Sequence, residues 1–142
     1  MVSGIGWCLL ELLDNMATET LLREVEGLRA SGLKVELVEA DGVVYLRLED
    51  YLVPAYYSKQ CTTLLLRLPM SYPNGNPDMF WTDVDLMCST GQIPTQADQI
   101  ETYLGKQWRR FSWHPQGWNP GTGNLLMYLE FVNSGLLKAG KK

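Results

Sequence analysis

The chain has few cysteines, one histidine and no excess of basic charge, and each shortage excludes a class of function. Its three cysteines, Cys8, Cys61 and Cys88, lie far apart and in none of the CxxC spacings of zinc sites. This usage is typical of a reducing compartment, so we expect a cytoplasmic protein without a bound metal or cofactor. The net charge is -4, whereas binding to phosphate backbones requires a basic excess. We therefore expect no nucleic-acid partner.

Long apolar runs are also missing. A membrane span needs about 20 apolar residues, and the apolar patch at residues 5–13 is shorter, contains Glu11 and has no basic start. We expect neither a membrane segment nor a secretory signal. Residues 1–16 are interpreted as an N-terminal appendage, with Met16 as an alternative start, residues 17–138 as one domain, and residues 139–142 as a tail.

The apolar pattern predicts a helix followed by strands. Residues 17–31 repeat with the period of an amphipathic helix, and Gly32 would end it. The period then changes to two, and Asp41-Gly42 separates two alternating runs, which is a strong hairpin signal. Residues 61–68 are typical of a strand buried on both faces, and a turn at residues 69–77 leads to a strand at residues 78–82.

Two helices are predicted after residue 93. Thr95 would cap the first, with Asp98 in the capping-box position and Gly105 at its end. An aromatic coil at residues 108–118 leads to the last helix, which begins near Thr122. The residues predicted to point inward from it are Leu125, Leu126, Leu129, Val132 and Leu136. This order predicts an α+β domain in which helices pack on a four-stranded antiparallel meander.

Three motifs, in this order, resemble the ubiquitin-conjugating (UBC) superfamily. They are the Tyr-Pro turn at residues 72–77, the Phe-Trp-Thr strand at residues 80–82, and Trp118-Asn119-Pro120 before a helix with the paired leucines 125 and 126. More narrowly, PDMFWTD, GxxWRRFSWH and WNPG resemble a bacterial branch that is labelled prokaryotic family E. The resemblance covers residues 17–138 and implies a UBC-like fold.

The resemblance implies a conjugating enzyme, which holds the C-terminus of a ubiquitin-like protein as a cysteine thioester and passes it to an amine. It also implies partners: the ubiquitin-like modifier, a ThiF-like activating enzyme and a JAB-type metalloprotease in one pathway, with antiviral defence as a plausible setting. In classical members the cysteine lies shortly before Trp-x-Pro, at a place that Arg110 takes here. Cys88 instead follows Phe80 by eight residues, near the position of the family's upstream His-Pro-Asn triplet.

Four residues are candidates for catalysis. Cys88 is the candidate nucleophile, and its small, polar neighbours predict an accessible thiol. Asp85, with Asp83, either helps to deprotonate the incoming amine or only solvates the loop. His114 is either a proton acceptor or oxyanion donor facing Cys88, or a hydrogen-bonded loop tip. Asn119 is either an oxyanion donor or an ordinary turn residue before proline.

Other interpretations stay open. A catalytically inactive UBC-like or RWD-like module would use the same surface to bind a modifier or an activating enzyme, and Cys88→Ala would separate the two. A hydrolase built on Cys88 and His114 lacks a local signature. The three tryptophans 108, 113 and 118 either pack the coil onto the sheet or form a platform for bases. Cys61 is interpreted as a small buried hydrophobe.

Overall fold

The computed structural model describes residues 18–141. The predicted appendage at residues 1–16, with Cys8 and Met16, lies outside the described residues, as does Lys142. In the part of the chain that is described, no helix is both long and apolar enough to cross a membrane.

Helix α1 spans Glu19–Ala30 and forms where the sequence predicts a helix. The Thr18 hydroxyl accepts a hydrogen bond from the Leu21 N–H at 3.3 Å, which satisfies one of the free donors at the helix start. The buried side chains of the helix are Leu21, Val25 and Leu28. Gly32, with a φ of 104°, adopts the left-handed backbone that follows many helix ends.

The helices pack on a six-stranded antiparallel sheet in the order β1-β2-β3-β4-β6-β5. Its strands are β1 (Lys34–Ala40), β2 (Val43–Leu52), β3 (Cys61–Pro69), β4 (Phe80–Asp83), β5 (Gln99–Tyr103) and β6 (Lys106–Phe111). The first four strands form the predicted meander. Asp41 and Gly42 both have positive φ values, 55° and 77°, and connect β1 to β2 as a two-residue hairpin turn. The predicted hairpin is therefore confirmed.

The helix predicted between Thr95 and Gly105 is wrong, because this part of the chain forms the β5–β6 hairpin. Tyr103 pairs with Lys106, and the two residues between them have the positive φ values of a hairpin turn, 54° at Leu104 and 72° at Gly105. Leucine rarely adopts this backbone conformation, so the turn carries no ordinary sequence signal. The aromatic coil predicted after it begins instead as β6.

The sheet buries side chains on both faces. Strand β3 shows this directly, since Leu64 and Leu66 join the core under the helices while Leu65 joins a second cluster on the opposite face. We call this second group the outer-face cluster; its buried members are Tyr45, Leu65, Trp81 and Trp108. The prediction that β3 is buried on both faces is confirmed.

Helix α2 spans Leu125–Gly140 and crosses the inner face of the sheet. The Asn124 side chain caps it by accepting a hydrogen bond from the Met127 N–H at 2.9 Å. Leu125, Leu129, Val132 and Leu136 are buried as predicted, but Leu126 is 65% exposed. Its predicted inward position is wrong, because it lies off the stripe that the other four define. The α+β fold class is confirmed, and residues 18–141 contain two more strands and one fewer helix than predicted.

Candidate functional site

The candidate nucleophile lies in a loop that follows β4 and is fastened to the segment before β3. Tyr57 and Cys88 pair as an isolated antiparallel bridge. Two backbone hydrogen bonds flank this bridge, from the Ser58 N–H to the Met87 carbonyl at 2.9 Å and from the Ser89 N–H to the Tyr56 carbonyl at 2.8 Å. The cysteine backbone is therefore held in place on both sides.

The Cys88 thiol is buried, contrary to the accessible thiol predicted from its small and polar neighbours. The residue is 1% exposed. Its Sγ lies 3.9 Å from the Ala139 carbonyl oxygen, within the range of a weak S–H hydrogen bond. The cover comes from the last turn of α2, which the sequence cannot place beside residue 88. A buried thiol cannot attack an external acyl group, so this conformation protects the cysteine.

Tyr57 completes the cover over Cys88. Its hydroxyl donates to the Leu136 carbonyl at 2.6 Å, and burial followed by the nearby Cys88 raises the pKa of the phenol. Gly140 lies against its ring, where an added Cβ would come within 2.8 Å of Cε2. The close fit of helix and ring at this point requires a residue without a side chain.

Arg109 holds the rest of the loop and was not predicted as a site residue. The residue is 7% exposed, and its guanidinium donates to the Val84 carbonyl at 3.0 and 2.9 Å and to the Ala97 carbonyl at 2.7 Å. Burial lowers the pKa of this guanidinium, with Asp98 opposing the effect. A sequence signal for this role exists once β6 is recognised as a strand. In its alternation Arg109 falls on the same face as the buried Phe111, where a charged side chain needs buried hydrogen-bond acceptors.

The two aspartates before the cysteine have different environments. Asp85 has a side chain that is 73% exposed and pairs with Lys59 at 2.9 Å. Asp83 has a side chain that is only 21% exposed, accepts from the Thr63 N–H at 3.0 Å and pairs with Lys106 at 2.8 Å. Burial raises the pKa of Asp83, but the hydrogen bonds from Lys106 and Thr63 outweigh it, so the net shift is downward.

His114 and Asn119 lie near the opposite, amino end of α2. His114 Nδ1 is 2.8 Å from Asp78 Oδ1, and both side chains are about half exposed. The Asn119 side-chain oxygen accepts from the Gly121 N–H at 2.9 Å, which is the turn role that the sequence left open. Next to it, Trp118 Nε1 donates to the Pro73 carbonyl at 2.9 Å, which joins the Trp-x-Pro and Tyr-Pro motifs.

The structure separates the Trp-x-Pro loop, with Asn119, from Cys88 along α2. The thiol meets the helix at Ala139, whereas Trp118 packs on it at Tyr128, whose hydroxyl also donates to the Met79 carbonyl. These two levels are roughly 16 Å apart along the helix axis, at about 1.5 Å per residue. Within residues 18–141, Cys88 makes no hydrogen bond to any of the other three predicted catalytic side chains. In this conformation, the roles predicted for His114 and Asn119 at the thiol have no geometric support.

A cavity of about 200 Å³ opens beside the amino end of α2. It is lined by the Trp-x-Pro loop at residues 115–119, by Thr122 and Gly123, and by the helix residues Met127, Tyr128 and Phe131. Asn119 is the one predicted site residue in its wall. The other three, Cys88, His114 and Asp85, lie outside it.

Comparison with known proteins places the chain in a family. Residues 21–139 match the family described as Prokaryotic E2 family E. No curated protein and no solved structure matches the chain. The match runs from α1 to the last turn of α2 and includes the Tyr-Pro turn, β4, the Cys88 loop and the Trp-x-Pro loop. The chain therefore belongs to prokaryotic E2 family E, the bacterial branch of the UBC superfamily that its motifs resemble.

Proposed function

We propose that this E2-like protein carries a ubiquitin-like modifier as a thioester on Cys88 and transfers it to an amine of a target in a bacterial conjugation pathway. The position of Cys88 carries the proposal. It is the cysteine of the loop that follows β4 in a family E chain, and the other described cysteine, Cys61, lies half-buried at the start of β3. A ThiF-like activating enzyme would supply the modifier, and a JAB-type metalloprotease would act in the same pathway.

The chemistry consists of two acyl transfers. The Cys88 thiolate attacks the carbonyl carbon of the thioester that the activating enzyme holds, and the thiolate of that enzyme leaves. The amine nitrogen of the target then attacks the new thioester, the Cys88 thiolate leaves, and the amine gives up a proton to a base. Asp85 is exposed and close in sequence to Cys88, so its carboxylate is the candidate acceptor for that proton.

This cycle requires that Cys88 be uncovered. The last turn of a helix is the part that opens at the lowest free energy, and here the last turn is what lies on the thiol. Movement of residues 136–141 away from Tyr57 would expose the sulfur without disturbing the sheet. The activating enzyme, by binding the open form, would stabilise it.

The burial of Cys88 favours a second function, that of a binding module. A UBC-like domain whose thiol stays covered would hold a modifier or its activating enzyme without forming a covalent bond. The polar groups near the amino end of α2 and the cavity beside them would then be the working surface.

Intact mass spectrometry separates the two functions. The protein is mixed with the modifier and activating enzyme from a family E gene cluster and ATP, without reductant, as wild type, Cys88→Ala and Cys61→Ala. The carrier function predicts an adduct on wild type and Cys61→Ala that reductant removes and that Cys88→Ala does not form. If the activating enzyme is shown to be charged and wild type gains no mass, the protein is a binding module. An adduct on Cys88→Ala would move the nucleophile to another residue.

A further inference from the structure

Arg67 is the one arginine of the described chain whose guanidinium has no acceptor. Four of the others, Arg23, Arg29, Arg47 and Arg110, pair with carboxylates, and Arg109 donates to two carbonyl oxygens. Arg67 has neither an ion pair nor a hydrogen bond within residues 18–141, and its Nε is buried without a partner. An N–H group of a charged side chain that is left without an acceptor costs free energy, so this arrangement needs an explanation.

Three aromatic rings fix the guanidinium in position. Its central carbon lies 4.4 Å from the centroid of Tyr103, 5.6 Å from that of Tyr45 and 5.7 Å from that of Trp81. These distances allow cation–π attraction. Two of the rings are themselves tied down, since Trp81 Nε1 and the Tyr103 hydroxyl both donate to Glu101 at 2.8 and 3.1 Å. These three rings therefore fix the position and orientation of the Arg67 guanidinium, and we call them, together with Glu101, the aromatic frame.

The positive charge of Arg67 is not neutralised by this frame. Glu101 is the carboxylate that the frame contains, and it already accepts from Trp81, from Tyr103 and from Arg110 at 2.8 Å. The other residues packed on the outer-face cluster are apolar and only partly buried. They are Val38, Ala40, Val43, Met79 and Leu104. Arg67 thus presents an unpaired, fixed positive charge beside these aromatic and apolar side chains. The neighbouring cations of this face are paired: Arg47 with Glu36, Arg110 with Glu101 and Lys106 with Asp83.

We call the part of the outer face around Arg67, Tyr103 and Met79 the Arg67 surface. We propose that the Arg67 surface binds a partner protein that presents a carboxylate among apolar side chains. Because Nε is buried, the carboxylate would accept from the terminal Nη–H groups of the guanidinium, and the apolar side chains of the partner would cover the exposed edges of Tyr103 and Met79. Arginine, tyrosine and tryptophan are the residue types that dominate binding energy at protein interfaces, and here they form one cluster. A planar guanidinium of fixed orientation is suited to a carboxylate because it can donate two parallel hydrogen bonds.

The Arg67 surface is independent of the thioester chemistry. It lies on the sheet face opposite to the helices, whereas the Cys88 cover belongs to α2. Along β3, the Thr63 N–H donates to Asp83, which lies at the end of β4 just before the Cys88 loop. Arg67 lies four residues further on, roughly 13 Å along the strand. A partner could therefore occupy this surface whether or not Cys88 carries a modifier.

The test uses the full chain labelled with nitrogen-15 and two small probes. The acidic probe is N-acetyl-Leu-Glu-amide and the neutral probe is N-acetyl-Leu-Gln-amide, both at constant ionic strength. We expect saturable shifts of the Arg67 Nε–H and the Trp81 indole N–H signals with the acidic probe only. Arg67→Met should weaken binding of the acidic probe by about tenfold or more. Arg47→Met is the matched control, because Arg47 lies on the neighbouring strand and pairs with Glu36.

Arg67→Lys provides a second variant that keeps the charge and the stem of the side chain if Arg67→Met does not fold. It should bind the acidic probe several-fold more weakly than wild type, since an ammonium group lacks the planar pair of donors. The proposal is overturned if the acidic and neutral probes shift the same signals equally. It is also overturned if the acidic shifts stay linear in concentration, or if Arg67→Lys, with its native fold shown by its spectrum, binds as wild type does.

Discussion

The two ends of α2 differ in what they do with reactive side chains. At the carboxyl end the helix covers a thiol, and Cys88 is 1% exposed beneath Ala139 and Tyr57. Near the amino end the chain exposes polar groups, and the side chain of His114 is 57% exposed beside Asp78. The candidate nucleophile Cys88 is therefore covered, whereas the candidate base His114 is open to solvent. A thiol carrier gains from this separation, because a covered cysteine is protected from oxidation and from unintended acyl acceptors.

The difference also extends to how each end is fastened. At the carboxyl end, the Cys88 loop is held by the buried Arg109 guanidinium, which donates to backbone carbonyls. It is also held by the last turn of α2, which packs on the ring of Tyr57. The amino-end loop depends on Trp118, which packs between Tyr72 and Tyr128 and donates to Pro73. If the two ends are independent, a change at one should leave the other unaffected.

The largest effect is expected from Arg109→Met. This substitution leaves the Val84 and Ala97 carbonyls without the donor they have now, and each buried acceptor left unsatisfied costs about 1–3 kcal/mol. We expect the free energy of unfolding, measured with urea, to fall by about 2–4 kcal/mol. Because the loop loosens, Cys88 should also react faster with a thiol reagent in a background that lacks Cys8 and Cys61.

Arg110→Met is the control for this prediction. Arg110 is the next residue on β6, faces the other side of the sheet and forms a partly exposed pair with Glu101. Its loss should cost about 1 kcal/mol or less and leave the reactivity of Cys88 unchanged. Equal thiol reactivity in the two variants would show that Arg109 does not control the cover.

A matched pair of glycine substitutions sharpens the comparison of the two ends. A Cβ at Gly140 would lie 2.8 Å from the Tyr57 ring, and a Cβ at Gly123 would lie 2.7 Å from the Trp118 ring. Each alanine forces its neighbour to shift, at a cost of about 1–3 kcal/mol that the gain in helix propensity partly offsets at Gly140. Only Gly140→Ala should raise the rate at which Cys88 reacts, by about tenfold for each 1.4 kcal/mol of easier opening.

Either of two results would contradict this account. If Gly123→Ala also exposes Cys88, the two ends of α2 open together and are not independent. If Gly140→Ala is destabilised but Cys88 stays unreactive, the last turn of the helix is not what protects the thiol. Far-ultraviolet circular dichroism of both variants establishes that each is folded before the rates are compared.

The sequence predicts those parts of the fold whose signals are local. Helix α1, the Asp41-Gly42 hairpin and the inward stripe of α2 follow from periodicity within a few residues. The β5–β6 hairpin was missed because Leu104 takes a backbone conformation that leucine rarely adopts. The predicted capping residue Thr95 also has other contacts, since its N–H donates to Ala139 and its carbonyl accepts from Trp113.

The candidate site was harder to predict, because its decisive contacts join distant parts of the chain. Cys88 is covered by Ala139, which is 51 residues away, and no property of its own loop reveals this. Arg109 reaches Val84 across 25 residues, from a segment that was expected to be coil. Residue types and loop positions indicated which groups could take part in chemistry. They did not indicate which groups are exposed or which ones meet.

The smallest effect is expected from a pair of aspartate substitutions that compares the charges at the two ends. The pKa of Asp83 is lowered from its ordinary value of 3.8, because the bonds from Lys106 and Thr63 outweigh the effect of burial. A carboxyl group whose pKa is lower in the folded state stabilises the protein above the unfolded-state pKa, and this stability is lost as the pH falls towards the folded-state pKa. Asp83→Asn should therefore cost about 1 kcal/mol near pH 7 and progressively less as the pH falls below about 4.

Asp78→Asn removes only a half-exposed contact to His114, so the stability of this variant should stay within about 0.5 kcal/mol of wild type at pH 7. Urea unfolding from pH 3 to pH 7 measures both, and a cost of Asp83→Asn that does not change with pH would show that the charge of Asp83 does not stabilise this end.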